Sequence, residues 1–273
     1  MMRGTWRIAA AVIAVGVMMT ARHTEAADPP MAERTTSFAA RTLDVHDLMG
    51  RLTIEAAERA DMQVVARGPK KAVDALLTKV RGDVLEVSGG GDPDSSVSVV
   101  QMNNITTVVT GGGSASVTIG GRDASVNVPP RPPLEVTVRV PRRTPVRIER
   151  ASDTCTIGDT GGPLRLGLAS ASVTAGRVGS VDLAVDGSGD VHIRRVDGDM
   201  TVALRGSGDV TVDEANIGAL SVAIDGNGDV SIGGKVRTAT LAISGAGDIR
   251  IKEVASQPKI AISGAGNVSV GNW

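Results

Sequence analysis

The stretch Val181–Ile193, which reads VDLAVDGSGDVHI, carries the tetrapeptide that decides the fold. The tetrapeptide Gly-x-Gly-Asp/Asn occurs five times, as Gly187-Ser188-Gly189-Asp190, Gly206-Ser207-Gly208-Asp209, Gly226-Asn227-Gly228-Asp229, Gly245-Ala246-Gly247-Asp248 and Gly264-Ala265-Gly266-Asn267. The steps between copies are 19, 20, 19 and 19 residues. This period is typical of a solenoid, because a unit of that length cannot bury a core alone and has to stack on its neighbours.

Each unit alternates apolar residues with polar or small ones, which is the period of a half-buried β-strand. Counted from the glycines, four inward columns contain only branched aliphatic residues: Leu183-Val202-Val222-Leu241-Ile260, Val185-Leu204-Ile224-Ile243-Ile262, Val191-Val210-Val230-Ile249-Val268 and Ile193-Val212-Ile232-Ile251-Val270. Stacked in register about 4.8 Å apart, these columns form continuous apolar ladders. The sequence therefore predicts an all-β fold, a right-handed parallel β-helix with coils of about 19 residues, in which each glycine pair turns a corner.

The remainder of the chain is less regular, and we predict one solenoid domain over residues 43–273. Residues 43–145 are expected to form irregular early coils, and residues 146–273 the regular repeats. One short helix is predicted from Pro69 to about Val80, because Val73, Leu76, Leu77 and Val80 follow helical spacing and Gly82 stands at the stop. Such a helix near the N-terminal end would cover the open end of the solenoid.

The N-terminus predicts export. Arg3 and Arg7 precede an uncharged, largely apolar run from Ile8 to Met19, and Thr24-Glu25-Ala26 is a small-x-small cleavage signal. Residues 1–26 are thus predicted to be a signal peptide cleaved after Ala26, since the run is too short to span a bilayer. An uncleaved membrane anchor is the alternative. Residues 27–42 predict a flexible lead-in, and the mature chain is expected in the periplasm or at the cell surface, without a stable membrane span.

The composition of the chain argues against several classes of function. The net charge of −1 provides no electrostatic reason to expect nucleic acid as a partner. Cys155 is the single cysteine, so no disulfide can form within the chain and the core must supply the stability. The chain has no Tyr and one Phe, whereas enzymes acting on polysaccharides grip sugars with aromatic platforms. Composition therefore favours a non-enzymatic protein, with a polysaccharide-acting β-helix enzyme as an alternative.

Three features together resemble a known family: the exported N-terminus, the strand Leu134–Val140 that ends at Pro141, and the serial Gly-x-Gly-Asp/Asn units. They are similar to the GIN-domain family of auto-transporter adhesin head domains in bacterial exported proteins, over roughly residues 43–271. The resemblance implies a parallel β-helical shape and a surface or envelope role. It supplies no catalytic residues, and none are assigned.

The aspartates of the repeat form a column that parity directs outward: Asp190, Asp209, Asp229 and Asp248, followed by Asn267. Carboxylates about 5 Å apart repel each other unless they splay, protonate or bind cations. The metal hypothesis is a calcium-stabilised repeat, since calcium prefers several oxygen ligands. The alternative is that each aspartate accepts a hydrogen bond from a nearby backbone N–H and stabilises the turn. No other cofactor is predicted.

A second outward column consists of alanines: Ala184, Ala203, Ala223, Ala242 and Ala261. A flat strip of this kind could receive a partner protein, an envelope component or a second copy of the chain. The alternative is an outer face covered by neighbouring side chains. His46 and His192 lie far apart without metal-ligand spacing, so we expect two surface histidines. The function favoured by these patterns is an exported module for binding, adhesion or scaffolding.

Overall fold

The computed structural model describes residues 30–90, 98–102, 105–109, 113–119, 122–128, 133–151 and 154–272. The first part of the chain forms β1 (Met31–Phe38), β2 (Thr42–Leu48), β3 (Arg51–Ala57), β4 (Met62–Pro69), α1 (Lys70–Ala75), β5 (Leu76–Arg81) and β6 (Val84–Gly89). The middle part forms β7 (Ser98–Met102), β8 (Ile105–Val109), β9 (Gly113–Ile119), β10 (Arg122–Val128), β11 (Glu135–Pro141), β12 (Val146–Ala151), β13 (Thr154–Ile157), β14 (Leu164–Leu168) and β15 (Ser172–Val178). The last part forms β16 (Val181–Gly187), β17 (Val191–Gly206), β18 (Val210–Gly226), β19 (Val230–Gly245), β20 (Asp248–Val254), β21 (Lys259–Gly264) and β22 (Asn267–Asn272).

The predicted β-solenoid is confirmed, with about seven turns at a spacing near 19 residues. Two ladders of parallel strands run along it. The first ladder contains β6, β2, β12, β14, β16, the second halves of β17, β18 and β19, and β21. The second ladder contains β11, β3, β13, β15, the first halves of β17, β18 and β19, β20 and β22.

The core lies between the ladders and is formed by the predicted columns. Leu183, Val202, Val222, Leu241 and Ile260 pair in direct register, and the first four are at most 1% exposed. Burial of one such side chain contributes about 1.5–3 kcal/mol. Val196, Ile217 and Val236 fill the third side, where the long strands bend between the two ladders.

The early strands do not stack in chain order. β2 and β3 form one coil, and β12 and β13 form the next coil on one side of it. On the other side, β6 pairs with β2, while β11 lies between β3 and β4. Antiparallel strands complete this end, since β5 pairs with β6 and β1 pairs with β4.

The helix is shorter than predicted. α1 covers only Lys70–Ala75, and the expected continuation to Val80 is the strand β5. All six residues of β5 pair with β6 across a tight turn at Gly82, which adopts a left-handed φ of 59°. Leu76 is 2% exposed and Leu77 is 66% exposed, so their positions follow strand alternation rather than a helical face. None of the helices in the described residues is long and apolar enough to cross a membrane.

α1 lies across the end of the solenoid, as expected. It connects β4, which lies between β11 and β1, to β5, which lies outside β6. The helix contacts β1, β4 and β5, and its Ala72 and Val73 are buried. The backbone N–H of Lys70 donates to the carbonyl oxygen of Pro30 at 2.8 Å, which ties the start of the helix to the residue before β1.

Two further expectations differ from the structure. The residues preceding β2 were predicted to be a flexible lead-in, but β1 pairs along its whole length with β4, from Met31 opposite Pro69 to Phe38 opposite Met62. The strands β7 to β10 were predicted to be irregular coils. They form a separate four-stranded antiparallel sheet with the order β10-β9-β8-β7. The strand β1 was not predicted at all, and the partners of β7 to β10 cannot be read from alternation alone.

Candidate functional site

The Asp column lies along the corner where each first-ladder strand ends and the next second-ladder strand begins. The backbone N–H of each member donates to the Oδ1 atom of the member one coil earlier. The distances are 3.1 Å from Asp209 to Asp190, 2.9 Å from Asp229 to Asp209, 2.9 Å from Asp248 to Asp229 and 3.1 Å from Asn267 to Asp248. One oxygen of each aspartate therefore connects two coils.

In two of the aspartates, Asp229 and Asp248, the Oδ2 atom also accepts a hydrogen bond. Arg250 donates from Nη2 to Asp248 Oδ2 at 2.6 Å and from Nη1 to Asp229 Oδ2 at 3.4 Å. These contacts agree with the turn-stabilising alternative. In the part of the chain that the structure describes, no group of three or more His, Cys, Asp or Glu side chains is arranged to hold a metal ion. Calcium binding by the column stays a prediction.

The glycines beside the column are required by close approach of the coils. A Cβ placed on Gly228 would lie 2.1 Å from the carbonyl oxygen of Gly208 and 2.6 Å from Leu204 Cδ2. Because the first of these atoms is backbone, it cannot move without shifting the stack. Gly226 adds a φ of 151°, a conformation that L side chains rarely adopt. The corner therefore depends on glycine, as predicted.

The alanine strip, defined as Ala184, Ala203, Ala223, Ala242 and Ala261, lies on the outer face of the first ladder. Its members pair in direct register from β16 to β21. Ala184 and Ala203 are half-buried, while the other three are exposed. The columns that flank it are Asp182, Thr201, Ser221, Thr240 and Lys259 on one side, and Asp186, Arg205, Asp225, Ser244 and Ser263 on the other. The strip is thus a row of methyl groups between two polar columns, and its charged neighbours lie mostly toward the β16 end.

The repeated Gly-x-Gly-Asp/Asn corner, with its ladder of aspartates, lies entirely within residues 181–272. Residues 181–272 match the model of the family described as "Putative auto-transporter adhesin, head GIN domain". The resemblance expected from the sequence is confirmed over these residues, which include every member of the Asp column and of the alanine strip.

Solved structures resemble both residues 181–272 and the coils that precede them. One is the crystal structure of a "putative adhesin" from Bacteroides fragilis NCTC 9343, with 15% identity, a TM-score of 0.59, and coverage of 89% of this chain and 99% of that chain. Another is a "putative adhesin" from Parabacteroides distasonis ATCC 8503, with 15% identity, a TM-score of 0.52, and coverage of 89% and 98%. At this identity the likeness shows a shared fold. No curated protein is detectably similar in sequence.

A polar groove of about 760 Å³ lies on the outer face of the second ladder, beside the β2–β3 coil. Its floor includes Ile157 and Ala175, and its charged or titratable lining residues are Glu55, Arg142, Asp159, His192, Arg194 and Asp213. Most of these side chains are paired. Arg194 donates to Asp159, Arg142 pairs with Glu58 at 2.6 Å, and His192 Nε2 lies 3.0 Å from Asp213 Oδ2.

Hydrogen bonds keep two carboxylates near this groove ionised. The backbone N–H of Arg177 donates to Asp159 Oδ1 at 2.7 Å, and this bond, helped by Arg194, lowers the pKa of Asp159. The pKa of Asp197 is lowered mainly by its hydrogen bonds from Arg195, and further by Arg177. A general acid of a glycosidase needs a raised pKa, so neither carboxylate suits that role.

His46 and His192 lie on different ladders of the solenoid. His46 lies in β2 of the first ladder, and its Nδ1 is buried without a hydrogen-bond partner. His192 lies in β17 of the second ladder, beside the groove. Sequence reasoning predicted two surface histidines and missed the groove around His192. The residues that line the groove share no repeat period, so the sequence carried no signal for it.

Proposed function

We propose that the protein is a non-enzymatic, exported module that attaches to an envelope or cell-surface component through the alanine strip. The family of residues 181–272 and the adhesin-like neighbours support a role in binding or adhesion. The observation that carries the choice of surface is the register of the strip. Five methyl groups lie in one row, and the three in β18, β19 and β21 are exposed and flanked mainly by short side chains, so a flat partner can approach the backbone closely there.

The absence of catalysis is part of the proposal. The charged side chains in the groove are mostly paired, and two nearby carboxylates have lowered pKa values rather than the raised value of a general acid. The Asp column forms a regular ladder in which each member stabilises the next coil. Catalysis needs groups that converge on one reacting atom, and neither arrangement provides this.

Export rests on the N-terminal sequence. The predicted signal peptide, with cleavage after Ala26, lies outside the described residues. The adhesin-like family agrees with a surface or exported location. Mass spectrometry of the protein recovered from periplasmic and surface fractions would identify both the compartment and the N-terminus. A protein that kept residues 1–26 in the membrane fraction would contradict cleavage.

The test of the alanine strip is Ala223→Glu, which adds a charge at the centre of an exposed row. The matched control is Ser231→Glu, which adds the same charge on the exposed outer face of the second ladder. Binding of the labelled chain to envelope preparations from the organism that encodes it should fall at least tenfold for Ala223→Glu and stay near wild type for Ser231→Glu. Unchanged binding by a folded Ala223→Glu variant would overturn the role of the strip.

A further inference from the structure

The β21–β22 coil exposes inward positions that are buried in every other regular coil. Ile260 and Ile262 are each 47% exposed, whereas Leu241 and Ile243, in the same columns one coil earlier, are 1% and 2% exposed. Within the described residues, β21 pairs only with β19, and β22 pairs only with β20. This end of the solenoid therefore presents apolar side chains together with two strand edges whose outward backbone groups are unpaired.

The charge pattern of this coil is also exceptional. Residues 260–272, which read IAISGAGNVSVGN, contain no charged side chain. The preceding coil carries Asp248, Arg250, Lys252 and Glu253 over the corresponding strand. Exposed strand edges are normally protected by charges, proline or a covering element, because an unprotected edge recruits another strand. Lys259, at the start of β21, is the only charged residue of β21 and β22, so most of this edge lacks that protection and is suited to pairing with another strand.

The opposite end of the solenoid is protected in the usual way. Its outer strands are β1 and β5, which carry Glu33 and Arg34, and Lys79 and Arg81, respectively. α1 crosses between them and buries Ala72 and Val73. A head-to-tail stack of copies would place these charges against a coil whose residues 260–272 carry no charge. The partner that matches the β21–β22 coil in both polarity and unpaired backbone is a second β21–β22 coil.

We infer that two copies of the chain pair end to end through their β21–β22 coils, with β21 of each copy adding antiparallel to β21 of the other. Antiparallel pairing centred on Ala261 sets Ile260 opposite Ile262 on the inner face, and Lys259 opposite Ser263 on the outer face. Apolar residues then face apolar residues, and no like charges are opposed. A two-fold contact of this kind is closed, so it forms dimers and not fibres.

The replacement of aspartate by Asn267 fits this arrangement. Every earlier member of the Asp column has a coil above it whose backbone N–H it accepts, but Asn267 lies on the open edge. Asn267 adds no charge to this edge, which agrees with the lack of charged side chains in residues 260–272. Pairing would also join the two alanine strips at Ala261, which doubles the length of the flat surface.

The mass of the purified chain in solution tests the inference. Multi-angle light scattering on a sizing column should give twice the chain mass, with the N-terminus defined by mass spectrometry. Ile262→Glu should return the mass to that of one chain, while Ser244→Glu, which adds the same charge on the outer face one coil earlier, should remain dimeric. Circular dichroism confirms that both variants are folded. A wild-type monomer, or a dimer unaffected by Ile262→Glu, would overturn the proposal.

Disulfide cross-linking between two copies provides a second test, which does not require a charged side chain in the core. Cys155 is fully buried, so a new surface thiol can be read separately. Under mild oxidation, Ala261→Cys should form a disulfide-linked dimer, whereas Ala242→Cys, whose strand is paired on both sides, should not. Equal cross-linking of both variants would overturn the proposal. The result is independent of envelope binding, so its failure and that of the alanine strip are distinguishable.

Discussion

The β2–β3 coil and the β21–β22 coil occupy opposite regions of the same two ladders, yet their inward residues differ sharply. Leu43, Val45, Leu52 and Ile54 of the first are at most 1% exposed, whereas Ile260 and Ile262 of the second are 47% exposed. The β2–β3 coil is flanked on both sides, by β12 and β13 on one side and by β6 and β11 on the other. The repeat thus specifies how coils stack, but covering an end requires strands from distant parts of the chain.

The largest effect should come from truncating equivalent inward residues in the two coils. Ile54→Ala leaves a cavity between β11 and β13, and is expected to cost about 2–5 kcal/mol of unfolding free energy. Ile262→Ala removes a half-exposed side chain, and is expected to cost about 1 kcal/mol. Urea denaturation at a concentration where the chain is monomeric measures both. Equal losses would show that the β21–β22 coil is as well packed as the β2–β3 coil.

Replacing a corner glycine by alanine should also destabilise an inner coil more than the β21–β22 coil, but by a smaller margin. An added Cβ would approach a carbonyl oxygen at 2.1 Å in Gly228 and at 2.3 Å in Gly266. Gly228 is held between coils on both sides, whereas the coil of Gly266 can shift outward. We expect Gly228→Ala to lower the unfolding free energy by about 3 kcal/mol and Gly266→Ala by about half as much. Thermal unfolding by circular dichroism compares them, and a larger loss at Gly266 would contradict the expectation.

A modest pH effect should arise next to the β2–β3 coil, at Asp159. The pKa of Asp159 is lowered in the folded state, first by the backbone N–H of Arg177 and then by Arg194. Its contribution to stability is therefore present above its unfolded pKa of about 4 and is lost as the pH falls through the lower folded value. The stability gap between wild type and Asp159→Asn should narrow as the pH drops below about 4. A gap that widened there would contradict this sign.

The smallest effect is expected from calcium on the Asp column. Because each aspartate already accepts a backbone hydrogen bond from the next coil, we expect calcium added after chelation to leave the thermal unfolding midpoint unchanged. Asp209→Asn, which keeps an acceptor for the N–H of Asp229, should also remain close to wild type. A saturable rise in the midpoint, lost in Asp209→Asn, would instead show that the column binds calcium.

The repeat made the regular coils predictable, since period, alternation and glycine corners all indicate the same ladders. The same reasoning predicted too long a helix at Pro69, because Leu76 and Leu77 satisfy a helical pattern as well as a strand pattern. The neighbouring hairpin resolved that ambiguity by pairing β5 with β6. No local pattern indicates that β1 pairs with β4, because such a partner is selected by long-range packing.

The candidate surfaces also differ in how far the sequence predicts them. The Asp column and the alanine strip repeat at the coil period, so their alignment could be predicted, although their roles could not. The groove around Asp159 and His192 is lined by residues of β3, β13, β15, β17 and β18, together with Arg142 from the loop after β11. Those residues share no repeat, and only the insertion of β11 beside β3 brings Arg142 and Glu58 together.

The position of β11 has a consequence for how the protein reaches its folded state. β11 lies between β3 and β4, although 65 residues separate Pro69 from Glu135 along the chain. β3 and β4 each pair with β11, so neither strand can complete its pairing until the segment after residue 134 has been synthesised. Neighbouring coils of residues 181–272 contact each other at short sequence separation and can form early, whereas the α1 end closes late. Folding is expected to proceed from the repeats toward the N-terminus, opposite to the direction of synthesis.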